Sequence, residues 1–276
     1  MSRVRFSQYA WGVLIYNLAV ILWGAYVRAT GSGAGCGNHW PLCNGEVVPS
    51  SEQVKTLIEF THRLSVGLGI FLVAGMFVWA FRAYPKGHPT RAGVKLALLF
   101  TFSESLIGAG LVLFKLVEHN ASVYRAVAMS AHLVNTFLLL TALTLTALWS
   151  SGVPPIRLKG QGAVAWALGL GLLASLTLGV SGAVTALGDT LYPARSLMEG
   201  LQQDFSPTAH FLLRLRMLHP LTAISVGLYL FLIAGLVSYL RPSEQTRRYA
   251  RWLIGLFLIQ LALGAVNVKL LAPVWM

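Results

Sequence analysis

The chain has 276 residues, 56% of them hydrophobic and only 11% charged, with a formal net charge of +12. Soluble domains carry roughly a quarter charged residues, so this composition excludes a soluble, disordered or fibrous protein. The basic excess sits in short loops between apolar runs, which is a topology signal rather than a nucleic-acid-binding surface. Two cysteines are too few for a disulfide scaffold.

Seven runs are long enough to cross a bilayer, at about 9–28, 58–80, 94–114, 124–149, 163–187, 211–240 and 252–271. The first is full length and lacks a cleavage site of small residues, so it reads as a retained span rather than a signal peptide. It leads into one of two long connections, about 29–57, which contains Thr30-Gly-Ser-Gly-Ala-Gly-Cys36-Gly-Asn-His-Trp-Pro-Leu-Cys43. With neither a preceding strand nor a Gly-Lys-Ser/Thr element, these glycines do not form a phosphate-binding loop. Cys36 and Cys43 invite a disulfide on an oxidising face, with a redox-active thiol pair or a metal site including His39 as alternatives.

The second span opens with Glu59-Phe-Thr-His62, whose spacing sets carboxylate and imidazole on one helix face. Glu59 reads either as an ion pair with Arg28 or Arg63, or as a working base beside a cofactor. Glu104 lies deep in the third span, as an interhelical hydrogen-bonding residue or part of a proton route. His132 lies in the fourth span and His219 in the sixth, each near the same end as His62. His88, His119 and His210 read as loop or interface residues. The second long connection, about 188–210, reads as loop.

Orientation follows from the basic residues. With the N-terminus inside, Arg3, Arg5, Arg82, Lys86, Arg91, Lys95, Arg157, Lys159, Arg241, Arg247, Arg248 and Arg251 face the cytoplasm, mostly in short loops. This predicts a multi-pass protein of the cell (inner) membrane with both long connections outside.

The chain also repeats itself. Gly24-Ala-Tyr-Val-Arg-Ala-Thr-Gly31 pairs with Gly182-Ala-Val-Thr-Ala-Leu-Gly188, the His62 segment with the His219 segment, and the Glu104 segment with that of Gln260. His62 to Glu104 is 42 residues and His219 to Gln260 is 41. Parallel repeats build two bundles about an axis along the membrane normal. The expectation is an all-α membrane protein of two pseudo-symmetric four-helix halves, 1–150 and 151–276. A counterpart of His132 would fall beyond Met276, so seven spans are present and an eighth is expected beyond Pro273-Val-Trp-Met276, as in a shortened eight-helix protein.

Two imidazoles facing across a four-helix bundle suit a bis-histidine haem site. His62 and His132 make one pair, and His219 is half of a second. A bare metal is less suited, since bundle metal sites gather several carboxylates. Arg63, Arg125, Arg214 and Arg216, at the outer level, suit haem propionates or serve as interfacial anchors.

At Arg28-Ala-Thr-Gly-Ser-Gly-Ala-Gly-Cys36-Gly-Asn-His-Trp-Pro-Leu-Cys43, Glu59-Phe-Thr-His-Arg63, Ala131-His132 and His219, the chain resembles the haem A synthase family, in particular its disulfide-containing bacterial branch. The resemblance implies oxidation of the C8 methyl group of haem O to a formyl group, giving haem A for terminal oxidases. It assigns substrate haem to His62 and His132, catalysis to Glu59, haem contact to Arg63, haem B to His219, and a disulfide to Cys36 and Cys43. Expected partners are a haem O synthase that supplies the substrate and a membrane electron acceptor such as a quinone, with room for a homo-oligomer and no role for nucleic acid. A di-haem cytochrome b-like electron carrier is the alternative.

Overall fold

The computed structural model describes residues 3–50, 52–157 and 159–273. Eight helices are present among them: α1 (Arg3–Ala29), α2 (Val54–Ala83), α3 (Pro89–Leu113), α4 (Val123–Ser150), α5 (Ala163–Leu191), α6 (Leu197–Phe205), α7 (Phe211–Leu240) and α8 (Glu244–Lys269). All but α6 are long and apolar enough to cross a membrane. An apolar bilayer leaves backbone groups no partner except the helix itself, which is why each apolar run becomes one uninterrupted helix. The protein is an all-α, multi-pass membrane protein. The expected approach to an eighth span, at 274–276, lies outside the described residues.

Several helices start before their apolar runs, because a cap rather than hydropathy decides where a helix begins. Ser243 accepts from Thr246 N at 3.0 Å, so α8 takes in Arg247, Arg248 and Arg251. His88 caps α3 through Thr90 N, with Pro89 in the first turn. The short α6 corrects the reading of 188–210 as loop throughout. Ser196 accepts from Glu199 N at 3.1 Å while the Glu199 carboxylate takes Arg195 N at 2.8 Å, a reciprocal arrangement close to a capping box.

The chain forms two compact units, Met1–Ile156 and Arg157–Met276. In the first, α1 packs on α2 and α4, and α3 packs on the same two helices, closing a four-helix ring in which α2 and α4 lie on a diagonal. Its apolar core gathers Phe6, Val13, Leu14, Val73, Met76, Val94, Leu139 and Leu143, all toward the end with the short connections. That core does not extend to the level of His62 and His132. In the second unit α7 is central and packs on α5, α6 and α8. Helix α8 buries none of its residues.

Candidate functional site

The connection between α1 and α2 is fastened to the start of α2. Cys36 and Cys43 are joined by a disulfide with a Cα–Cα distance of 4.4 Å, which leaves neither sulfur available as a thiolate ligand. Thr56 Oγ1 donates to Gly35 O at 2.8 Å, and a side chain at Gly35 would run into the Lys55 backbone. Glu59, 3% exposed, accepts from Cys36 N at 2.8 Å and pairs with Arg63 one turn further on. Arg63 Nη1 donates to the carbonyls of His39 at 2.6 Å and Leu42 at 2.7 Å. Of the two partners expected for Glu59, the structure selects Arg63. That guanidinium is committed to Glu59 and the loop.

Deeper along the same helix face, His62 packs over Gly24 of α1. A Cβ there would lie 3.0 Å from its ring, so any larger residue would push the imidazole aside. Its Nδ1 is buried without a hydrogen-bond partner. On the diagonal helix, His132 Nδ1 lies 2.7 Å from Glu104 Oε1. Each imidazole is about two turns inside its helix, some 12–14 Å along the axis at 1.5 Å per residue. Arg125 lies two turns outward of His132 and is 4% exposed. Its Nη1 donates to the carbonyls of Glu118 and Asn120, while its Nε is buried without a partner.

The second unit repeats the seat with different supports. His219 packs over Gly182 of α5, where a Cβ would lie 3.2 Å from the ring, and its Nδ1 is 2.8 Å from Ser181 Oγ. Pro220 follows His219 where Arg63 follows His62. The clamp is therefore built on Arg216, which bonds Asp204 of α6 at 2.6 Å and Asp189 of α5 at 2.9 Å. Arg214 reaches only the carbonyl of Pro207, at 2.8 Å.

Of the residues singled out by sequence, the first unit brings together His62, His132, Glu59, Arg63 and the two cysteines, and His219 stands in the second. Gly24, Gly182 and Ser181 were not anticipated in these roles. The repeat already aligned Gly24 with Gly182, and that alignment was the available signal. Among the described residues there is no group of three or more His, Cys, Asp or Glu able to hold a metal ion.

Residues 7–276 match the COX15-CtaA family model, described as cytochrome oxidase assembly protein. The chain belongs to this family. A Thermus thermophilus protein named protoheme IX farnesyltransferase is 60% identical over 99% of this chain but only 45% of its own length. Proteins named haem A synthase are 39% identical over 45% of this chain in Halalkalibacterium halodurans, and 41% identical over 35% in Bacillus mycoides. These matches take in 41% and 31% of those relatives. The chain thus spans less than half the length of the curated relatives it matches. The COX15-CtaA match covers both units, and the glycine-seated histidines occur in each.

Proposed function

We propose that this COX15-CtaA protein is a haem A synthase, an oxidoreductase that converts the C8 methyl group of haem O to the formyl group of haem A. The observation that carries this reading is the His62–His132 pair, on diagonal helices at one level, beyond the end of the bundle that holds the apolar core. His62 Nδ1, buried and unpartnered, is a polar atom that a bound group could engage, and Gly24 and Gly108 seat the two imidazoles against α1 and α3. His62 and His132 would hold the substrate haem, and His219 would be a ligand of a haem B cofactor in the second unit. When bound, the haem iron supplies the redox chemistry.

The chain's own residues position and shield. Arg125, buried above His132 with Nε unpartnered, suits a propionate. The disulfide-closed loop, fixed by Glu59 and Arg63, covers the outer end of α2. Glu59, one turn from His62, is the carboxylate placed to take a proton or stabilise positive charge at the substrate. Arg63 holds that carboxylate and would meet the haem only with what its loop contacts leave over. Electrons would pass to an acceptor in the membrane, such as a quinone, and the basic loops favour a cytoplasmic N-terminus in the cell membrane.

The Thermus relative supports a link to farnesyl transfer, since that reaction makes the substrate proposed here. We place farnesyl transfer in the part of that relative which this chain does not match. A prenyl diphosphate needs carboxylates free to hold divalent cations, and both aspartates here, Asp189 and Asp204, are engaged by Arg216.

Co-expression with a source of haem O, followed by haem extraction and chromatography, tests the proposal. Haem A is expected; haem B alone would favour an electron carrier. Glu59→Gln should stop haem A formation while the protein keeps its bound haem. Continued product would remove Glu59 from catalysis.

A further inference from the structure

The three span imidazoles differ in what holds Nδ1. Glu104 Oε1 lies 2.7 Å from that of His132, and Ser181 Oγ 2.8 Å from that of His219, while that of His62 is buried with no partner. A neutral imidazole carries one N–H. A carboxylate acceptor draws that proton to Nδ1 of His132 and leaves the Nε2 lone pair free. Among the described residues no hydrogen bond engages His132 Nε2, which lies beside Gly108, where a Cβ would be 3.6 Å away, and the side chain as a whole is 32% exposed.

The carboxylate cannot swing aside, because α4 grips it from two further positions. Asn135 Nδ2 donates to Oε2 at 2.5 Å and Thr136 Oγ1 donates to Oε1. Asn135 is itself held by Phe100 O at 2.9 Å and Ser103 Oγ at 2.6 Å. A residue serving only to join α3 to α4 needs Asn135 and Thr136. The bond to Nδ1 does something more: it fixes the ring's tautomer and rotation, as carboxylates behind metal-bound histidines do.

We propose that Glu104 is a positioning residue which would make His132 the fixed, strongly donating ligand of a haem held in the first unit, and that His62, lacking such an anchor, would be the ligand more readily displaced. The proposal rests on the reading of this unit as a haem site. A carboxylate accepting from Nδ1–H raises the basicity of Nε2, and a more basic ligand favours the oxidised iron. His62 packs over Gly24, but no hydrogen bond at Nδ1 fixes its ring.

The test uses the full-length protein, purified with its haem, in a His219→Ala background so that only the first unit reports. Glu104→Gln keeps shape but removes the charge behind His132. The expected result is a more positive midpoint potential and haem binding weaker by roughly 10–100-fold, with Glu104→Asp partly restoring both. Should Glu104→Gln fail to accumulate, the same titration on Glu104→Asp decides, through a smaller shift of the same sign. Cyanide should bind His62→Ala protein that still holds haem, whereas His132→Ala should lose the haem. An unchanged potential and affinity in Glu104→Gln, or equal haem loss in both histidine variants, would overturn the inference alone. No haem bound by the unsubstituted first unit would overturn the site reading beneath it as well.

Discussion

In the first unit His62 lies over Gly24 with Nδ1 unpartnered, and in the second His219 lies over Gly182 with Nδ1 on Ser181. The α1–α2 connection of the first is closed by a disulfide and gripped by Arg63 through Glu59 and two carbonyls. The α5–α7 connection of the second carries the short helix α6 and is gripped by Arg216 through two aspartates. One seat has thus been built twice, with different fastenings around it. An imidazole lying flat on a neighbouring helix needs a small residue beneath it at one position, whereas a cation can grip a connection from several places. The seat is therefore the geometrically demanding part, and the clamp is the adaptable one.

Removing each clamp in turn challenges this distinction most directly. Arg63→Ala leaves the Glu59 carboxylate buried and without its cation, and breaking a buried pair costs about 3–5 kcal/mol. Arg216→Ala should cost less, about 1–3 kcal/mol, because the Asp189 side chain is 25% exposed and water compensates part of the loss. Thermal unfolding of the two variants in one detergent measures the difference, and equal losses would make the clamps equivalent. The seats come next. Alanine at Gly24 or Gly182 pushes on the imidazole, at about 1–3 kcal/mol each, with the larger effect at Gly24, where the approach is closer. With haem bound in each unit as proposed, each substitution should perturb the haem spectrum of its own unit only; a spectrum that changes in the other unit would undo the correspondence. The smallest effect is at Ser181→Ala, a loss of about 1 kcal/mol for one hydrogen bond. It should loosen His219 toward the unanchored state of His62, seen as faster exchange of the second unit's haem for added haem.

How much of this was readable in the chain depends on what a linear pattern encodes. Apolar length is a property of consecutive residues, and the seven spans, with His62, His132 and His219 on them, followed from it. Helix α6 did not, because its polar segment fails a hydropathy criterion, although Ser196 and Glu199 stood at capping-box spacing. Glu104 was recognised as interhelical glue, and it does bond across to α4. Its hold on His132, 28 residues away, depends on how α3 and α4 pack, which hydropathy does not specify. Glu59 had two candidate partners in sequence, and only the folded loop brings Cys36 N to its carboxylate and leaves Arg63 as its cation.

Arg63 reaches the α1–α2 loop through the carbonyls of His39 and Leu42 and touches neither side chain by hydrogen bond. What it recognises is the path of the chain, a feature every amino acid presents alike. A saturation scan should therefore find positions 39 and 42 permissive and position 63 strict, with position 35 as strict as 63 because the loop lies against the α2 backbone there. Tolerance along this loop would then record where its backbone is held, rather than which of its side chains have chemistry to perform.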